Sequence, residues 1–228
     1  MGWPTMISDG EHKSHRSDIR LDLDRNRRIG IPEAVYAEGK TPDQCVEIVT
    51  TLLADSDSPI IVTRATSRNL AVLAHMEPTA TLGTTLTWRH AAVRDVTPVS
   101  VVSGGVSDQP TVDECVATLT AMGVPVKTHC DVGVAGLHRL VDVVPDLAAA
   151  EVVVAVAGME ASLPTVLAGL VAAPIIGVPT SAGYGSSLEG VTAMLSMLAS
   201  CAPGITIVGI DNGYGAACAA LRIVGIDR

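Results

Sequence analysis

From residue 98 onward the chain is rhythmic. Short apolar runs at 99–102, 124–128, 152–157, 175–178 and 205–210 alternate with longer segments at 111–122, 137–147, 163–170, 188–199 and 216–224, where apolar positions recur every three or four residues. The short runs are strand-sized and rich in Val and Ile, and the longer ones have the period of a helix that buries one face. Strands alternating with helices of about ten to fifteen residues predict right-handed βαβ units and a parallel sheet with helices on both faces. Upstream the pattern is less regular. Thr41-Pro42-Asp43 predicts a helix reaching Leu53, with Thr41 as N-cap and Pro42 at the first helical position. PIIVT at 59–63 predicts a short strand, and between 65 and 95 a mixture of Thr and Ala fixes no element. Residues 1–20 are polar and read as a disordered leader. The expected organisation is that leader, a smaller N-terminal α/β domain over 21–96, and a three-layer αβα domain over 97–228.

In a parallel sheet, ligands sit beyond the carboxyl ends of the strands. The predicted strands run into Ser103-Gly-Gly-Val-Ser107-Asp108, into Asp131 through His138-Arg139, into Gly158-Met159-Glu160, into Ser181-Ala-Gly183-Tyr-Gly185, and into Asp211-Asn212-Gly213. Each of these loops combines glycines with a hydroxyl, carboxylate or imidazole. Glycine lets backbone approach a ligand closely, and N–H groups opening a helix suit phosphate. For each loop alone a second reading stands: Ser107-Asp108 as a helix cap, Asp211-Asn212 as turn formers, His138-Arg139 as a helix surface pair. Five such loops on one rim point to a binding site, with Arg139 the better phosphate ligand because its planar fork holds oxygens bidentately.

Composition narrows the partners. The net charge of −9 lacks the clustered basic face that nucleic acid requires. Mean hydropathy is +0.40, yet no apolar run approaches the roughly 18 residues of a membrane span. The polar leader, with His12, His15 and Arg16, has no apolar core of a secretory signal, so the cytoplasm is expected. With no Phe and few other aromatics, the core must be Val, Ile, Leu and Ala, which suits a sheet buried on both faces. The five cysteines are widely spaced without a C-x-x-C, so neither a zinc site nor a disulfide framework is predicted.

Residues 98–224 resemble the class I aminoimidazole ribonucleotide carboxylases, the PurE family with a flavodoxin-like fold. The likeness rests on S-G-G-V-S-D, His138-Arg139, A-G-M-E-A-S-L-P at 157–164 and the closing I-D-N-G-Y-G-A-A at 210–217. Ala135-Gly136-Leu137 before the His-Arg pair, Gly158-Met159-Glu160, and Ser200-Cys201-Ala202-Pro203 depart from the purine enzymes. They match a sister family, LarB, whose members make the precursor of a nickel-pincer cofactor. That likeness extends over nearly the whole chain, including D-L-D-R-N-R-R-I-G-I-P-E-A-V-Y-A-E-G-K-T-P at 22–42 and R-A-T-S from Arg64.

The resemblance implies a pyridinium-3,5-biscarboxylic acid mononucleotide synthase. Its substrates would be nicotinic acid adenine dinucleotide and CO2 or bicarbonate, the products the dicarboxylated mononucleotide and AMP. Cys201 would be the nucleophile, and Glu160, opening a helix, the base or ring positioner. Substrate contacts would come from Ser107, Asp108, Asp131, His138, Arg139, Gly158, Met159, Ser181, Gly183, Gly185, Asp211 and Asn212. Arg27 and Lys40 would reach the phosphates or the adenylate half. No cofactor is obligatory, although Mg2+ bridging the pyrophosphate is reasonable chemistry. Cys201, following a helix and preceding a strand, falls at the sheet edge opposite the rim. A homo-oligomer, dimer to octamer, with composite sites is therefore expected. Two other functions remain open: a purine-pathway carboxylase or mutase, and a nucleotide-binding module without chemistry.

Overall fold

A computed structural model describes residues 19–225; apart from its last two residues, the expected leader lies outside them. The described strands form two sheets. The first is built from β1 (Ala34–Tyr36), β2 (Ile60–Thr63), β3 (Ala80–Leu82) and β4 (Thr85–Trp88), in the order β1-β2-β4-β3. β1 and β2 are parallel, and β4 runs antiparallel to both its neighbours. Ahead of it stands the short helix α1 (Arg25–Ile29). One face is covered by α2 (Pro42–Asp55) and α3 (Ser67–Leu73), with Ile48, Val49, Leu52 and Leu73 packed on Ile60, Val62 and Leu86. The Thr41 start is as expected: its hydroxyl accepts from the Gln44 N–H, and the Gln44 side chain accepts from the Thr41 N–H. The segment 65–95, which fixed no element in the sequence, holds α3, β3 and β4.

The second sheet carries β5 (Val99–Ser103), β6 (Val126–His129), β7 (Val153–Ala157), β8 (Ile175–Pro179) and β9 (Ile205–Ile207), all parallel in the order β6-β5-β7-β8-β9. Alternation along β7 sends Val154 and Val156 to one face and Val153 and Ala155 to the other. On the first face lie α4 (Gln109–Ala121) and α8 (Gly213–Val224). On the second lie α5 (Leu137–Ala148), α6 (Leu163–Ala168) and α7 (Val191–Leu198). These are the three expected αβα layers.

α4 belongs to both sheets, since its outer side packs on β2, β3 and β4. That double burial explains why Thr111 and Glu114 are buried on this helix as well as Cys115 and Leu119. The helix expected over 188–199 starts later, at Val191, because Leu188 and Glu189 hold left-handed backbone (φ 47° and 52°) within the 3-10 turn Gly185–Gly190.

Candidate active site

All five strands of the parallel sheet end on one edge. The loops after β5, β6, β7 and β8 enclose a cleft of about 530 Å3, walled by Gly104, Ser107, Asp108, Gly158, Glu160 and Gly183 among others. The loops pack backbone to backbone. Met159 N–H donates to Ala182 C=O at 3.1 Å, and a Cβ on Gly158 would stand 2.1 Å from that oxygen. Only glycine permits this approach. Much of the wall is Ala135, Ala157, Ala161 and Leu163, small and apolar. Backbone strain concentrates on the same rim. Of nine described non-glycine residues at positive φ, six (Asp131, Met159, Ala161, Leu188, Glu189 and Asp211) lie in loops beyond these strands. Such conformations persist where surrounding structure over-determines them, often at functional sites.

Two carboxylates differ in surroundings. Asp108 is buried, accepting from the Thr180 hydroxyl at 2.6 Å and the Gly105 N–H at 3.0 Å. Burial raises its carboxyl above the usual range, although both hydrogen bonds pull the other way. Glu160 is exposed, and its Oε1 accepts from the Ser162 hydroxyl at 2.9 Å. It does not open the helix: α6 begins at Leu163 with Ser162 as N-cap, and Glu160 sits in the preceding turn. It therefore lies outside the first turn of α6, where the helix dipole acts.

The other candidates spread over the rim and beyond it. Ser181 N–H donates to Asp211 Oδ1 at 2.8 Å, joining the loops after β8 and β9. The Asn212 side chain accepts from Gly215 N–H at 2.7 Å, so its amide oxygen serves as the cap of α8. Arg139 pairs with Asp131 at 2.6 Å and His138 is exposed on the first turn of α5; none of the three walls the cleft. Gly185 lines a shallower hollow that shares Gly183 and Tyr184 with the cleft. Lys40 donates to the Tyr36 carbonyl at 2.7 Å and lines a separate cavity of about 280 Å3 in the N-terminal sheet region. Arg27 is paired with Asp24 on the exposed surface of α1.

Cys201 is exposed and free, between the end of α7 and the start of β9. Ile205 pairs with Ile175, the first residue of β8, so the thiol lies where the strands begin. At roughly 3.3 Å per residue, the five residues of β8 alone separate that edge from the rim by about 16 Å. Cys130, by contrast, is an exposed thiol directly after β6, on the rim edge. Cys45 and Cys115 are buried, and burial raises both thiols.

A second cavity of about 440 Å3 adjoins the cleft, sharing Ser107, Ala182 and Gly183 with it and bounded on the far side by Arg64 and Thr84 of the N-terminal sheet region. Sequence reasoning gave neither Arg64 nor Glu114 a role. Glu114, on α4, is buried; its Oε1 faces Arg64 Nε at 3.2 Å and its Oε2 accepts from Tyr214 N–H at 3.0 Å. The Arg64 guanidinium also donates to the Asp211 carbonyl and lies 5.6 Å from the Tyr36 ring centre. The available signal was an arginine following an apolar strand at the head of R-A-T-S.

The AIR carboxylase family profile matches residues 98–228, and that of the LarB/PurE-like N-terminal domain matches residues 15–87. An uncharacterized protein of Methanocaldococcus jannaschii is 34% identical over 213 residues, covering 87% of this chain and 80% of its own. The N5-carboxyaminoimidazole ribonucleotide mutase of the same organism is 35% identical over 133 residues, 56% of this chain and 79% of its own. Its counterpart in Pyrococcus horikoshii is 34% identical over 136 residues, covering 56% of this chain and 72% of its own.

Proposed function

The chain belongs to the AIR carboxylase family, in the LarB branch that carries a LarB/PurE-like N-terminal domain, and from that premise we propose that it carboxylates the pyridinium ring of nicotinic acid adenine dinucleotide at C5. The pyridinium is electron-poor and does not attack CO2 unaided. Addition of the Cys201 thiolate at C4 makes it a dihydropyridine whose enamine carbon, C5, is nucleophilic. C5 attacks CO2, its proton passes to Glu160, and the returning electron pair expels the thiolate, restoring the aromatic ring. Water then cleaves the phosphoanhydride, releasing AMP and the dicarboxylated mononucleotide. The small apolar part of the cleft wall, Ala135, Ala157, Ala161 and Leu163, suits CO2.

The observation that carries this reading is the pairing of a carboxylase sheet with the LarB-type N-terminal domain and an exposed thiol at Cys201. Since that thiol stands at the wrong sheet edge for its own cleft, the partner copy supplies it. An apolar stripe of Val191, Leu195 and Leu198 on α7 leads to Cys201, with Leu195 56% and Leu198 63% exposed. This stripe is the surface a second copy would bury. Among the described residues no group of three or more His, Cys, Asp or Glu forms a metal-binding set; a Mg2+ ion in the reaction would be held chiefly by the substrate's phosphates. No described helix is long and apolar enough to cross a membrane.

The test is incubation of purified protein with nicotinic acid adenine dinucleotide and 13C-bicarbonate, followed by mass spectrometry. A labelled dicarboxylated mononucleotide together with AMP is expected. The relatives named as N5-carboxyaminoimidazole ribonucleotide mutases favour a second reading, and turnover of that ribonucleotide alone would establish it. Binding of either nucleotide without turnover would leave a non-catalytic module.

A further inference from the structure

Arg64 stands directly after β2, with its backbone in the left-handed region at φ 53°. A non-glycine residue held there is strained, and the strain persists only where other interactions over-determine it. The interactions here all leave the neighbourhood in sequence. The guanidinium crosses from the N-terminal sheet to Glu114, 50 positions away, and to the Asp211 carbonyl, 147 positions away. Both partners are themselves tied into the rim. Glu114 accepts from Tyr214 N–H in the first turn of α8. Asp211, also at positive φ (56°), holds the Ser181 N–H with its carboxylate. One side chain of the N-terminal sheet thus fixes the turn after β9 and, through Asp211, the loop after β8 that walls the cleft.

We propose that Arg64 is a positioning residue through which the N-terminal sheet sets two loops: 180–187, which walls one side of the catalytic cleft, and 211–215, whose Asp211 lines the adjoining cavity. Arg89 supplies an internal control. It has the same φ of 53°, but its guanidinium donates to the carbonyls of Ser56 and Leu53, within the N-terminal part of the chain. The two arginines share a backbone strain and differ in what they hold.

The experiment compares full-length Arg64→Gly, Arg64→Lys and Arg89→Gly by residue-resolved hydrogen exchange and by turnover of nicotinic acid adenine dinucleotide. Glycine removes the strain at either position, so loss of order cannot be charged to backbone geometry. Arg64→Gly is expected to speed exchange of the Ser181 and Tyr214 amides by at least about tenfold while β7 amides stay protected. Its kcat should fall at least about tenfold with KM changed less than about threefold, the pattern of misplaced rather than missing contacts. Lys at 64 keeps the charge opposite Glu114 but lacks the fork, so it should restore protection at Tyr214 and not at Ser181. Arg89→Gly should leave both amides as they are. Unchanged exchange at both amides in Arg64→Gly overturns the proposal. So does a loss of protection that reaches β7, which would make Arg64 a structural bolt. The kinetic arm rests on the proposed reaction; the exchange arm does not. If the wild type ignores this dinucleotide, the reaction fails while exchange still decides the role of Arg64.

Discussion

A thiol, a carboxylate and a buried acid carry the residue-scale argument. Cys201→Ser should abolish carboxylation, whereas Cys115→Ser and Cys130→Ser should keep it, as read by label incorporation from 13C-bicarbonate. Cys130 is the informative control, because it is the exposed thiol on the rim of its own chain; loss of activity there and not at 201 would reassign the nucleophile. Glu160→Gln should still bind the dinucleotide yet turn over about a hundredfold more slowly, the usual cost of a lost general base. Asp108 predicts a pH effect on stability. Burial raises its folded pKa, so the fold holds that proton more tightly than the unfolded chain does. Its penalty is absent below the unfolded value and complete above the folded one, so stability falls as pH rises across that window. Denaturant titrations of Asp108→Asn should show a flatter curve there than the wild type, and an equal slope would contradict this account. At this scale the sequence exposed motif residues and hid Arg64, since local pattern carries no trace of partners 50 and 147 positions away.

Elements were legible where one period ruled and obscure where two environments competed. β7 and β8 are buried along their whole length and stand out as unbroken apolar runs. β3, three exposed residues, and β4, four buried ones, present no alternation and left 65–95 unread. Leu188 and Glu189 are good helix formers by composition, yet both stand in left-handed backbone, and the helix expected from 188 begins at Val191. The close seam between α4 and α8 yields a prediction of its own. A Cβ on Gly213, at the start of α8, would meet the Thr111 carbonyl of α4 at 2.2 Å. Backbone cannot yield as a flexible side chain would, so Gly213→Ala should cost about 1–3 kcal/mol in chemical denaturation. A variant as stable as the wild type would mean that α8 slides freely on α4.

At the scale of the whole molecule, the decisive fact is a separation. A parallel sheet places every loop of the cleft at one edge and the 199–204 connection, with Cys201, at the other. Refolding a loop does not bring that thiol across the length of a strand, but a second copy would, and the exposed α7 stripe ending beside Cys201 offers the surface for it. The chain should therefore assemble at least as a dimer. Leu195→Asp should yield dissociated, inactive chains in sedimentation and turnover assays. Complementation separates shared from private sites more sharply. Cys201→Ser chains are expected to be inactive, and Glu160→Gln chains to retain only about a hundredth of wild-type turnover. If every site draws its thiol from one chain and its carboxylate from another, equal random mixing gives both intact residues to about one site in four. Dissociated and reassembled mixtures should then regain roughly a quarter of wild-type turnover. Mixed oligomers that demonstrably form and remain inactive would mean that each chain serves its own cleft, and Cys130, already on that rim, would become the thiol to test.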